Sequence, residues 1–206
     1  MLKGSHSGFS LVELIIGLAI LALLMALGMP QYATFIANSR LRATAESINN
    51  GLNLARAEAV KSNTRAELVL TSDEPIEGLV NTLTPSTSGP NWVVREWSST
   101  TNSYNFVDGK YGAEGSGRAE GNAAEIASSS ASGYSGIVCF NGFGALTACP
   151  GNVGVPPGVS FVVTSLAGTC AASGGALRCL NVNVTTGGQV RICDPMITAA
   201  KDTRAC

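Results

Sequence analysis

Gly8-Phe9-Ser10-Leu11-Val12-Glu13-Leu14-Ile15-Ile16-Gly17-Leu18 opens an apolar run that reaches Met29 with a single charge in it, Glu13. Phe9 to Met29 is 21 residues, and as a helix rising about 1.5 Å per residue it spans roughly 31 Å, the thickness of a bilayer's hydrocarbon core. A secretory signal peptide places a short apolar region before a small-residue cut. Here the polar leader Met1 to Gly8 comes first, so the apolar run lies beyond any cut and stays in the mature protein. Anchoring alone does not require a carboxylate, and burying one unpaired costs several kcal/mol by order of magnitude. Glu13 therefore asks for a partner.

Composition bounds the rest of the chain. There are 206 residues and a formal charge of −1, room for one membrane helix and one globular domain. Removing the leader takes Lys3 with it and leaves 12 basic against 14 acidic residues, which excludes a whole-domain nucleic-acid footprint. Charged residues are only 13% and glycines number 24, a balance suited to an extracellular β-rich domain with long loops.

Past the run the helical pattern resumes. Tyr32, Phe35, Ile36, Leu41, Ala45, Ile48, Leu52, Ala55 and Ala59 recur at three- and four-residue spacing, with Arg40, Arg42, Glu46 and Asn49 between them. Pro30 lacks a backbone N–H and crowds the preceding turn, so with Gly28 it predicts a kink or an unwound patch within one long helix. Continued to about Ser62, that helix is roughly 80 Å long. A globular domain does not need such a helix, and its first half must be covered by lipid or by neighbouring helices.

These residues resemble the type IV pilins and type II secretion pseudopilins. Gly8, Phe9 and Glu13 match a cut between Gly and Phe with a Glu five residues into the mature chain, and Met29-Pro30-Gln31-Tyr32 matches a further block. The resemblance implies removal of residues 1–8 by a prepilin peptidase, methylation of the new amino terminus at Phe9, and pairing of Glu13 with the terminal ammonium of a neighbouring subunit. A buried carboxylate is tolerable when such an opposite charge meets it. Leu52-Asn53-Leu54-Ala55-Arg56-Ala57-Glu58-Ala59-Val60-Lys61-Ser62-Asn63 narrows the likeness to the GspH/FimT/FimU group of minor pilins and H-type pseudopilins. On its own that block reads as a good helix with Arg56, Glu58 and Lys61 on a solvated side.

The expected fold is α+β and pilin-like, a long N-terminal α-helix packed on a C-terminal antiparallel β-sheet domain. Residues 1–8 are the leader, 9–30 the transmembrane or filament-core half of the helix, 31–63 its amphipathic half, and 64–206 the β-rich domain. Asn63 serves as the helix stop, and Arg65 to Thr71 and Trp92 to Trp97 read as strands. Residues 98–136 are rich in Ser, Gly, Ala and Asn, and we read them as a long loop region. Their Asp108, Glu114, Glu120 and Glu125 do not have the spacing of a Ca²⁺ loop. Strands return at Gly136 to Phe140 and Val159 to Leu166. Leu177 to Thr185 and Gln189 to Cys193 form a hairpin. A three-residue loop, Thr186 to Gly188, sets Val184 against Val190 and Val182 against Ile192, whereas a two-residue loop would set apolar against polar. The odd-length loop is expected, with a glycine at positive φ and Arg191 facing outward beside Asn183.

Cys139, Cys149, Cys170, Cys179, Cys193 and Cys206 all lie in the C-terminal third, with no Cys-x-x-Cys and no histidine partner for zinc. Disulfides are the better reading, and the local scheme 139 with 149, 170 with 179 and 193 with 206 closes three short loops, although other pairings are open to sequence alone. Oxidising conditions place the C-terminal domain outside the inner membrane, in the periplasm before export to a pilus or pseudopilus. Flanking charge is a weaker guide, with Lys3 on one side and Arg40 and Arg42 on the other.

The only histidine, His6, belongs to the leader. Neither a His-based triad nor a metal site is expected, no cofactor is implied, and the chain reads as a peptidase substrate and not an enzyme. Three functions fit. It is a minor pilin that joins or primes a type IV pilus with other pilins, an H-type pseudopilin of a type II secretion system, or a FimT-like DNA receptor for natural transformation. The tail from Cys193-Asp194-Pro195 to Cys206 resembles a FimT/FimU end more than a pseudopilin end, and that resemblance favours the first. Such receptors use a Gly-Arg-x-Arg motif, and this chain has Gly188-Gln189-Val190-Arg191 at the matching place, keeping only the second arginine. From Thr64 onward 8 basic residues face 11 acidic ones. DNA binding is expected to be weak, with Arg191 a solvated strand residue or a subunit contact.

Overall fold

The computed structural model describes residues 10–112, 124–130, 135–150, 158–165, 167–199 and 201–206. Among these residues one helix, α1 (Leu11–Ser62), precedes nine strands: β1 (Ala66–Thr71), β2 (Asn91–Ser98), β3 (Ser103–Lys110), β4 (Ala124–Ser130), β5 (Ile137–Phe140), β6 (Leu146–Thr147), β7 (Gly158–Ser165), β8 (Leu180–Thr185) and β9 (Val190–Cys193). The pairings between these strands are antiparallel. A five-stranded sheet has the order β3-β2-β1-β5-β6 and a four-stranded sheet the order β4-β7-β8-β9.

The helix runs unbroken through Gly28 and Pro30, so of the kink or unwound patch allowed by the sequence the unwound patch is not adopted. A single missing N–H and neighbouring turns leave the rest of the helical ladder intact. The helix ends at Asn63, whose φ of 50° reverses the backbone, a conformation that asparagine tolerates better than most side chains. The chain divides into two compact units at Ile36/Ala37, six residues beyond the boundary that Pro30 marks in the sequence.

In the second unit, Leu41, Ala45, Ile48, Leu52, Ala55 and Ala59 are fully buried. They share one apolar cluster with Leu68 and Leu70 of β1, Trp92 and Val94 of β2, Val138 and Phe140 of β5, Val159, Phe161 and Val163 of β7, and Val182 and Val184 of β8. The amphipathic stripe thus packs on the inner faces of both sheets. Tyr32 and Phe35, also in that periodic pattern, are instead 68% and 65% exposed. Polar ties fix the packing: the Trp92 indole N–H donates to Ser47 Oγ at 3.1 Å, and the Arg178 amide donates to Asn38 Oδ1 at 2.8 Å.

The outer face of the five-stranded sheet holds a second, small apolar cluster of Val69, Ile137, Cys139 and Cys149 and a buried charge network. Glu67 Oε1 receives Arg95 Nε at 2.7 Å and Nη2 at 2.6 Å, and Arg95 Nη1 donates to the Val80 carbonyl at 2.6 Å. The Tyr104 hydroxyl donates to Glu67 Oε2 at 3.3 Å and accepts from Arg65 Nη2 at 3.2 Å. Burial, and then the Glu67 charge, push the Tyr104 phenol above its ordinary pKa, which keeps it a donor.

The β8–β9 hairpin has the expected register, Val184 with Val190, Val182 with Ile192 and Asn183 with Arg191, and Gly188 sits at φ 77°. The loop reading of residues 98–136 is corrected, because β3 and β4 lie within it. β3 carries Tyr104, Phe106 and Val107, a strand signal diluted by the surrounding Ser, Gly and Asn. β4 is small and Ser-rich, and seven residues of it pair with β7, Ser128 opposite Phe161. Pairing with an apolar neighbour overrides its weak intrinsic preference.

Candidate functional site

The N-terminal stretch is described from Ser10 onward, so Gly8 and Phe9 of the expected cut and methylation site lie outside the described residues. Ser10 and Glu13 cap the helix reciprocally: the Glu13 amide donates to Ser10 Oγ at 3.2 Å, and the Ser10 amide donates to Glu13 Oε2 at 3.0 Å. Ser-x-x-Glu is a capping box, which satisfies two of the donors that a helix start leaves free. The only carboxylate of the apolar run is thereby held at the first turn, where the helix dipole also favours it. On either side of it, Leu11, Val12, Leu14, Ile15, Ile16, Leu18, Ile20, Leu21, Leu23, Leu24 and Met25 are all exposed. The helix is long and apolar enough to cross a membrane.

At the other end of the chain, two hairpins meet on α1. Arg56 Nε donates to the Gly144 carbonyl in the β5–β6 turn at 3.0 Å, so Arg56 is half-buried and tied, not on a solvated side as the sequence alone suggested. Gly188 of the β8–β9 turn packs directly on that same carbonyl, which a Cβ at Gly188 would strike. The glycine of Gly188-Gln189-Val190-Arg191 therefore has a packing role of its own. Leu146 N–H donates to the Thr186 carbonyl at 3.0 Å and joins the two sheets beside it.

Arg191 is exposed on β9 and donates from Nη2 to the Ala205 carbonyl at 3.3 Å. Arg178 pairs with Asp194 at 2.9 Å and Arg204 with Asp202 at 2.7 Å. Three of the C-terminal cations thus hold the tail. Hydrogen bonds from the Arg204 side chain and then from its amide hold the Asp202 carboxyl at about 2, below its ordinary 3.8. The disulfides join Cys139 to Cys149, Cys170 to Cys179 and Cys193 to Cys206, with Cα separations of 5.5, 5.4 and 5.1 Å. Among the described residues, no cluster of three His, Cys, Asp or Glu side chains is placed to hold a metal ion.

Ser10-x-x-Glu13 carries the capping-box signal in the sequence itself, a signal that the length and charge of the run do not reveal. The Arg56 tie has no local sequence signal, since its acceptor is a main-chain carbonyl 88 residues away.

A family profile described as "Prokaryotic N-terminal methylation motif" matches residues 3–29. No curated protein matches the chain in sequence. The type IV minor pilin FimU of Pseudomonas aeruginosa is similar at 18% identity, over 77% of this chain and 91% of that one, with a TM-score of 0.49. The minor pseudopilin EpsH from the Type 2 Secretion System of Vibrio cholerae is similar at 10% identity, over 76% of this chain and 98% of that one, with a TM-score of 0.46. With the methylation motif at residues 3–29 and one long N-terminal helix packed on antiparallel sheets, the chain is pilin-like.

Proposed function

We propose that this chain is a minor pilin of a type IV pilus. A prepilin peptidase cuts it after Gly8 and methylates Phe9, and the mature subunit joins or primes the filament with other pilins. It serves as that enzyme's substrate and has no catalysis of its own. The observation that carries the reading is the helix start, an exposed apolar run whose one carboxylate, Glu13, is held at its first turn. In a membrane or a filament core such a group needs an opposite charge, and the terminal ammonium of a neighbouring subunit supplies it. The domain then lies on the periplasmic side until export, where its cysteines oxidise.

Mass spectrometry of membrane-extracted protein tests the processing step; mature chains begin at Phe9 with a methylated amine, and an intact leader in peptidase-positive cells refutes it. Glu13→Val remains inserted and folded but is depleted from sheared filaments. Wild-type levels of that variant in filaments would remove the charge-pairing step.

The H-type pseudopilin reading shares every one of these features. Recovery of the chain from sheared surface pili supports the pilus, and recovery only from a periplasmic filament needed for protein secretion supports the pseudopilin. DNA reception is the weakest of the three readings, because Arg178, Arg191 and Arg204 each have a partner within the chain. Tight binding in a mobility-shift titration near physiological salt, abolished by Arg191→Ala, would reverse that order.

A further inference from the structure

A sheet edge with unpaired main-chain groups is a template for another strand, so each edge needs a device that closes it. β9 is covered by the tail, where the Asp194 amide donates to the Arg204 carbonyl at 2.7 Å. β6 is tied across to Thr186. β3, eight residues long, is the remaining edge of the five-stranded sheet. There the Tyr104 amide donates to Asn81 Oδ1 at 2.7 Å, and Asn81 Nδ2 donates to the Tyr104 carbonyl at 3.3 Å. One carboxamide carries the donor and the acceptor of a peptide group, so a single side chain takes both main-chain groups that a pairing strand would take. Asn81 is not free to swing away. Its neighbour Val80 is buried, and the Val80 carbonyl accepts from Arg95, itself clamped on Glu67.

We propose that Asn81 is an edge guard, a surrogate strand residue that closes β3 against pairing with the β3 edge of a second copy of this chain. With the guard in place, this edge of the five-stranded sheet is closed to a second strand. Asn81 is itself exposed, so its replacement spares the core.

The test uses the full chain in detergent, compares wild type with Asn81→Leu, and follows hydrogen exchange at the Tyr104 amide over a range of protein concentrations. In the dilute variant that amide exchanges about tenfold faster than in wild type, the loss of roughly one hydrogen bond. As concentration rises, the variant forms a dimer beyond any wild-type association, and the Tyr104 amide becomes protected again. Asn81→Ser, too short to bridge both groups, repeats the result if leucine disturbs the turn. Unchanged exchange in both variants overturns the proposal. So does fast exchange without added association, or added association that leaves Tyr104 unprotected, since pairing through α1 does not cover β3.

Discussion

Gly188 joins a backbone requirement to a packing one. Its φ of 77° lies where a side chain is strained, and a Cβ there would meet the Gly144 carbonyl that also accepts from Arg56. Gly188→Ala should therefore cost about 3 kcal/mol, more than strain alone, read as a lower denaturant midpoint. Gly187 has no such contact and no positive φ, and its alanine variant should be close to neutral. The Glu67–Arg95 pair makes a different case, because both groups are nearly inaccessible. Arg95→Met leaves Glu67 buried without its main partner and should cost about 3–5 kcal/mol, whereas Arg95→Met with Glu67→Met should recover much of that. A double-mutant cycle of denaturant midpoints checks the coupling. Asp202 is half-buried at the surface and its partner Arg204 is exposed, so its expected signature is a titration and not a large stability change. Its depressed pKa means that the contact with Arg204 is fully present above the ordinary 3.8 and is lost as pH falls through about 2. Carboxyl chemical shifts should give that low midpoint, and Arg204→Ala should return it toward the ordinary value.

At the scale of elements, the two halves of α1 are one helix with two environments. Leu52 is fully buried between the sheets, and Leu52→Ala should cost about 2–5 kcal/mol. The sequence made that half legible, since three- and four-residue spacing from Leu41 to Ala59 can only describe one buried stripe, and the fully buried residues follow it. The β8–β9 register was legible for a similar reason, because a one-residue slip would have turned Val182, Val184, Val190 and Ile192 outward. What could not be read was structure that depends on distant partners. β4 becomes a strand because β7 pairs with it, and Arg56 becomes a strut because a turn far along the chain offers a carbonyl. Tyr32 and Phe35 misled in the opposite sense. They continue the apolar spacing and yet are exposed, since periodicity records which face is apolar and not what lies against it.

For the molecule as a whole, this asymmetry separates folding from the assembly proposed above. From Leu41 to Ala59 the helix spends its apolar face inside its own domain, while the apolar residues from Leu11 to Met25, together with Tyr32 and Phe35, remain exposed. A change at Phe35 should then leave the domain's stability alone and show its effect only where lipid or other subunits meet the helix. Phe35→Ser removes a large exposed ring, and surface substitutions of this kind usually move stability by less than about 0.5 kcal/mol. The expected result is an unchanged denaturant midpoint for the β-rich unit beside a reduced share of the variant in sheared filaments, with Leu52→Ala giving the lowered midpoint instead. A Phe35→Ser midpoint shifted as far as that of Leu52→Ala would show that Phe35 packs on its own domain, and the division of the helix into a folding half and an assembly half would then fail.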